Sequence, residues 1–584
     1  MKSFFKNVLA NIVAIVLLCV VFFFFFIMLL VFSSMSGDKS VVVKKNSVLT
    51  INLNTHIIDS PTEEQGGIFN MSNQNKSILI YEALEAINKA KTDDNIKGIS
   101  IEADDLNAGL TQIDDLRNAL EDFKKSGKFI YAYGNNVSQG SYYLGSVADQ
   151  YYLNPSGMIE LKGLATEVTF FKDFAEKYGI GIEVIRHGKF KSAVEPFLRN
   201  DISPENKEQL SVLLNDLWKN TADKMAVSRK IDTAQFRTSV DSLYGMIPEL
   251  TLKYKLADKL IQQSEYDQII KSKLQLKEKD KLNKISLGKY IASYEEESGS
   301  GDKVAVLYAS GSINSGDDYN DINSKKYVKY IKDLQDNDKV KAVVLRINSP
   351  GGSANASDEI LFELQQLKKK KPLVVSFGDY AASGGYYIAM AADKIYSEPN
   401  TLTGSIGVFG VMPYFKEVAN KNGIRSDIVA TNANSAYFSS LNGLTPHGVT
   451  MMTKSVEGTY KRFVHFVTQN RKQTFEQIDS VGGGRVWSGT RAKQIGLVDE
   501  LGSLADAVKF AAQKAGVKSY NVATYPKKMT AFEQIFQDLN EDDISARVIK
   551  NKIGKANYEI FQQITDEKLK SEVKMEMPYE IKIN

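Results

Sequence analysis

The chain has 584 residues, 43% of them apolar and 24% charged, which excludes a disordered polymer and exceeds what one ordinary core can hold. Its formal net charge of +3 gives no electrostatic footprint for nucleic acid. A single cysteine, Cys19, excludes disulfides within the chain and any cysteine-based metal site.

Cys19 lies inside the first predicted element. Val8 to Phe32 is a run of 25 residues in which only Asn11 is polar. As a helix it would be about 37 Å long, enough to span a bilayer with some tilt. A cleavable signal peptide has an apolar core of only about 7–15 residues. Lys2 and Lys6 precede the run and favour a cytoplasmic N-terminus. Residues 1–35 are therefore expected to form one membrane anchor, with the rest of the chain at the outer face of the cytoplasmic membrane.

Beyond the anchor the sequence is written twice. "IKGISIEADD" from Ile96 resembles "VKAVVLRINS" from Val340, and "YAYGNNVSQGSYYLGSVADQ" from Tyr131 resembles "VSFGDYAASGGYYIAMAADK" from Val375, both at an offset of 244 residues. Short β-rich runs such as "KPLVVSFG" alternate with helical spacing such as "ASDEILFELQQLKKKK", which predicts α/β domains with parallel strands. The first copy is expected over residues 45–293 and the second over 304–517. "YEEESGSGDK", Tyr294 to Lys303, reads as the linker between them. A tail, 518–584, shows no chemistry.

The offset allows the copies to be compared site by site. Ser383, in "AASGG", faces Gln139, and the "NSPGGS" glycines Gly351 and Gly352 face Asn107 and Ala108. Conversely Lys191, in "HGKFKSAVEPF", faces Ser435. One copy keeps a serine among glycines and the other keeps a lysine, as though one Ser–Lys pair were divided between them. A hydroxyl becomes a nucleophile when a neighbour takes its proton, and lysine can do so only when neutral. Bringing it from about 10.4 to about 7–8 takes roughly 4 kcal/mol of differential stabilisation, which burial between two domains supplies. The developing oxyanion needs two backbone N–H donors: Gly384, next to the nucleophile, and Gly352 in preference to Gly351.

Plainer readings stand beside these. Ser383 could be a helix N-cap, Lys191 a surface lysine like Lys189, and Glu195 with Arg199 a structural ion pair. "VGGGRVWSG" lacks the ending of a phosphate loop and reads as a turn before a helix. Four histidines permit a Ser–His–Asp triad on paper, but no G-x-S-x-G elbow accompanies them. No H-E-x-x-H spacing occurs, so neither metal nor cofactor is expected.

Taken together, "INSPGGS", "AASGGYYIAMAADKI", "TGSIGV", "GKFKSAVEPF" and "GRVWSGTRAKQIGLVDELGS" resemble the signal peptide peptidase A family in its long, duplicated, membrane-anchored form. The resemblance spans about residues 45–525. It implies tandem crotonase-like, caseinolytic-protease-like domains of repeated ββα units and a serine peptidase with a Ser–Lys dyad. Ser383 would be the nucleophile, Lys191 the base, and Ser405 in "TGSIGV" the serine that hydrogen-bonds the lysine, although Ser405 also reads as a turn residue. The resemblance further implies a bowl-shaped homotetramer and, as substrates, released signal peptides and similar hydrophobic segments. A protease for one membrane-protein partner would carry the same dyad. An acyl-CoA enzyme would share the fold without needing it, and a silent peptide-binding scaffold would have no use for the full set.

Overall fold

The computed structural model describes residues 2–35, 41–52, 55–61, 77–102, 104, 106–294, 301–315, 321–526 and 574–577. Most of the expected linker and most of the tail lie outside the described residues. The chain starts with one helix, Lys2–Met35. Among the described residues, no helix is long and apolar enough to cross a membrane.

Two mainly parallel sheets follow, one per copy, the second ending in strand Val486–Ser488 antiparallel to Leu402–Gly404. The first runs in the order Lys259–Leu260, Gln150–Ile159, Phe129–Val137, Ile96–Glu102, Ser47–Asn52, Lys284–Ser286. Its central strands are buried on both faces, as parallel strands covered by helices must be. The second has Leu402–Gly404, Leu373–Ala382, Val340–Ser349 and Lys303–Ser310 in matching order. The 244-residue offset recurs in the coordinates: strand Ile96–Glu102 against Val340–Ser349, strand Phe129–Val137 against Leu373–Ala382, helix Ile80–Thr92 against Ser324–Asp336. The second sheet runs on past Val517, because strand Asn521–Tyr525 pairs in parallel with Lys303–Leu307.

The domains are locked by polar groups that neither could bury alone. Arg346, fully buried in a central strand of the second sheet, holds Asp59 of the first copy with a 2.8 Å contact and also donates to Ser376 Oγ and the Phe377 carbonyl. Breaking such a buried pair costs about 3–5 kcal/mol. Asp379 accepts from the backbone and hydroxyl of Thr111, and Arg491 grips Asp216. Beside Arg346, the Asp115 and Glu398 carboxyls are buried together. Burial pushes Asp115 up to about 7 and Glu398 well above the usual carboxylate range, each opposed by Arg346.

A third, smaller sheet is assembled from both copies in the order Ile322–Asn323, Ile313–Asn314, Gly351–Ser353, Lys574–Glu576, Val408–Tyr414, Gly181–His187. Strand Gly181–His187 of the first copy pairs antiparallel with Val408–Tyr414 of the second over seven residue pairs. This seam positions the candidate site.

Candidate active site

Strand Leu373–Ala382 ends at Ser383, where the backbone takes φ +54° and ψ −113°. That is the left-handed side of the map, where a non-glycine residue costs of order 1–3 kcal/mol. It is held there by two backbone bonds, Ser383 N–H to the Gly404 carbonyl at 2.9 Å and Tyr387 N–H to the Ser383 carbonyl at 2.8 Å. The N-cap reading fails on this geometry, since the Ser383 side chain makes no capping hydrogen bond to helix Gly384–Ile388. That helix has five residues, so any anion at its start is held by individual N–H groups rather than by a long helix dipole.

Lys191 reaches Ser383 from the other copy of the same chain. Strand Gly181–His187 ends at Gly188, and Phe190 N–H donates to the Gly483 carbonyl at 3.0 Å. The Lys191 side chain then turns inward and is fully buried. Its Nζ lies 2.9 Å from Ser383 Oγ, 3.0 Å from Ser405 Oγ and 3.3 Å from the Ser405 carbonyl. The Phe409 ring centroid is 5.7 Å away, an apolar wall to the amine. Ser405 also sits at positive φ, +48°, with its N–H tied to the Arg485 carbonyl at 2.7 Å. It bonds the lysine and is not merely a turn residue.

The "VGGG" segment is more than a turn before a helix. Strand Val486–Ser488 intervenes before helix Gly489–Gln494, and the glycines form the wall on which Lys191 rests. A Cβ on Gly484 would lie 2.6 Å from Lys191 N and Cβ, closer than atoms tolerate. Gln209 ties this wall to the lysine loop, accepting from Val486 N–H at 2.8 Å and donating to Ser192 Oγ at 3.3 Å. Three glycines together in the sequence were the available signal for the wall; for Gln209 there was none.

The glycine turn faces the serine. Gly351 and Gly352 have φ of +109° and +149°. A Cβ placed on Gly384 would lie 3.2 Å from Gly352 N, and one on Gly351 would lie 2.8 Å from Gly384 N. Gly351 N–H is engaged by Ser349 Oγ at 3.2 Å, and Gly352, beside Gly384, pairs with Ile313 and Met575 in the small sheet. The structure thus brings Ser383, Lys191, Ser405, Gly351, Gly352 and Gly384 into one place. The expected Glu195–Arg199 ion pair is absent. Glu195 is buried and accepts from Ser203 and Asn206 at the start of helix Pro204–Arg229, while Arg199 pairs with Asp201. His187 stacks on the Tyr460 ring at 3.9 Å.

An amine at 2.9 Å from a buried hydroxyl is within range for proton transfer, and adjacent backbone N–H groups suit an oxyanion. Comparison with known proteins shows the class of enzyme. The profile of Peptidase family S49 matches residues 122–279 and 365–518, one match in each copy and together more than half of the chain, and that of Clp protease matches 295–403. The chain is 36% identical to Protease 4 of Salmonella typhi, covering 79% of this chain and 76% of the relative. It is 34% identical to Protease 4 of Haemophilus influenzae, covering 82% and 81%. It is 31% identical to the chloroplastic Serine protease SPPA of Arabidopsis thaliana, covering 88% and 75%. Fold and matches together define a serine protease built on a duplicated, Clp-protease-like α/β domain. The chain belongs to peptidase family S49.

Proposed function

We propose that this serine protease is a membrane-anchored endopeptidase that degrades released signal peptides and similar hydrophobic segments with a Ser383–Lys191 dyad. The observation that carries the dyad is the buried 2.9 Å contact between Lys191 Nζ and Ser383 Oγ. Neutral Lys191, favoured over its ammonium by burial, takes the hydroxyl proton as Oγ bonds to the substrate carbonyl carbon. Gly352 and Gly384 N–H groups hold the oxyanion. The ammonium returns the proton to the leaving amine as the C–N bond breaks. Water then adds to the acyl-enzyme, giving its proton to Lys191 and releasing Ser383. Ser405 positions the amine.

The helix Lys2–Met35 and the 25-residue apolar run within it support an anchor that keeps the site where apolar peptides collect. A homo-oligomeric partner is supported by a mismatch between the copies. The first copy's segment after Gly179 becomes strand Gly181–His187, paired with Val408–Tyr414. The equivalent segment after Gly423 lies exposed, with Ile428 and Val429 open to solvent, and residues 164–170, the counterpart of 408–414, join no sheet among the described residues. A second copy, added head to tail, would pair these two segments and extend toward a closed ring. Ile428→Asp with Val429→Asp is expected to lower the mass measured by light scattering; an unchanged mass places the interface elsewhere.

The functional test is cleavage of a fluorogenic hydrophobic peptide against pH. Ser383→Ala and Lys191→Ala should abolish turnover while Lys189→Ala retains it, with the basic limb rising as Lys191 loses its proton. Normal turnover by Lys191→Ala would overturn the dyad, and an inert but folded wild type would favour a peptide-binding scaffold.

A further inference from the structure

Lys191 and Ser405 stand on loops of different copies, and one side chain joins those loops. Gln209, 2% exposed, lies in the second turn of helix Pro204–Arg229 of the first copy. Its Nε2 donates to Ser192 Oγ and to Asn206 Oδ1, each at 3.3 Å, and its Oε1 accepts from Val486 N–H at 2.8 Å. Ser192 directly follows Lys191. Val486 belongs to the second copy and pairs with Gly404, whose carbonyl accepts from Ser383 N–H at 2.9 Å. The carbonyl of the preceding residue, Arg485, accepts from Ser405 N–H at 2.7 Å. A single amide thus bears on the backbone of Lys191, Ser383 and Ser405 together.

The helix start behind Gln209 is itself braced. Glu195 is fully buried and accepts from Ser203 N–H and Oγ and from the Asn206 amide, while Asn206 Oδ1 fixes the plane of the Gln209 amide. A glutamine suits the position, because it donates and accepts through one planar group and adds no charge that would bias the protonation of the neighbouring amine. The second copy supplies a control. Helix Pro446–Arg471 has the same 26 residues, with Thr445 capping it as Ser203 caps the first. The positions of Asn206 and Gln209 are there taken by Gly448 and by Met451, which is 49% exposed. The copy without the lysine has neither amide.

We propose that Gln209 is a positioning residue for peptide cleavage: its amide fixes the Lys191 loop of the first copy to the strand edge of the second that holds Ser383 and Ser405, and so sets the distance between base and nucleophile. The inference rests on the Ser383–Lys191 reading, but not on signal peptides being the substrate. Misplacing a reacting group by about 1 Å costs on the order of a hundredfold in rate. Loss of the brace therefore acts on kcat and leaves KM for the peptide nearly unchanged.

The test uses the full chain in detergent and a fluorogenic apolar peptide. Gln209→Met keeps the length of the side chain and removes its hydrogen bonds; kcat should fall about 10- to 100-fold at a KM within about twofold of wild type. Ser192→Ala removes the lysine-side partner and should lower kcat on the order of tenfold. The double variant should be no slower than Gln209→Met alone within about twofold, since both changes cut one bridge. Wild-type kcat in Gln209→Met, or losses that multiply in the double variant, would overturn the inference. If Gln209→Met shows no thermal transition, Ser192→Ala decides: a lowered kcat at unchanged KM upholds the brace, and wild-type kcat removes it. Lys191→Ala is assayed alongside. If that variant is inert while Gln209→Met turns over normally, the brace fails and the dyad stands. If Lys191→Ala turns over normally, the dyad fails and the brace with it.

Discussion

The two copies share a backbone plan and have opposite fates at the same position. In the second copy Ser383 stands at φ +54° without capping its helix. In the first, Ser138 has φ −68° and its side chain accepts from Ser141 N–H, which is ordinary N-capping. The residue aligned with Ser383 is Gln139. Its amide donates to the Gly163 carbonyl at 3.1 Å and accepts from the N–H groups of Lys162 and Gly163. Gly163 is the counterpart of Gly407, whose carbonyl lies 3.5 Å from Ser383 Oγ. A glutamine thus fills in one copy the polar space that the Ser383 hydroxyl holds in the other. The copy without the proposed nucleophile has satisfied its backbone, while the copy that carries it retains the strained serine. Strain of this kind is what a functional serine would be expected to carry.

That contrast can be broken most sharply at the serine. Ser383→Ala is expected to cut kcat/KM by at least about a thousandfold, whereas Gln139→Ala should leave it within about twofold. Next in size, Asp59→Ala should destabilise the chain by about 3–5 kcal/mol, because it strands Arg346 in the second copy's sheet; denaturant unfolding measures this. The first-copy counterpart of Arg346 is Glu102, which meets Lys284 in a partly exposed pair, so Glu102→Ala should cost about 1 kcal/mol or less. Gly484→Ala should lower kcat/KM about 10- to 100-fold with little change in peptide binding, since the new methyl displaces Lys191 from Ser383.

The smallest effects sharpen the comparison. Gln139→Ala leaves three backbone groups around Gly163 without their partner and should cost about 1–3 kcal/mol in stability, read as a lower melting temperature at unchanged activity. At the seam between the copies, Asp115 and Glu398 bind protons more tightly folded than unfolded. Their contribution is therefore present at low pH and is lost as pH rises from about 4 through about 7. Glu398→Gln should flatten stability against pH across that window. A variant with the same slope as wild type would remove the pair from the account.

Much of this was legible in the sequence because duplication supplies an internal control. The offset of 244 located Ser383 by what its counterpart lacks and Lys191 in the same way, and the alternation of β-rich and helical runs predicted both parallel sheets. What escaped depends on which surfaces meet. Gly483 and Gly484 look like any turn until Lys191 is packed against them. Glu195 and Arg199 are spaced as a helical ion pair, yet the helix Glu195–Leu198 is only four residues long and Glu195 turns to the next helix. The strand at Lys574 shows an alternation of only four residues, "KMEM", too short to announce itself without its two neighbours.

The separation of the pair along the chain sets an order in time. Lys191 and Ser383 lie 192 residues apart, so at about 5–20 residues per second the lysine leaves the ribosome roughly 10–40 s before the serine. On the proposed mechanism the nascent chain holds, during that interval, a base with nothing to activate, and its partner arrives only as the second domain is completed. A dyad split between domains in this way would make hydrolysis the last property the polypeptide acquires.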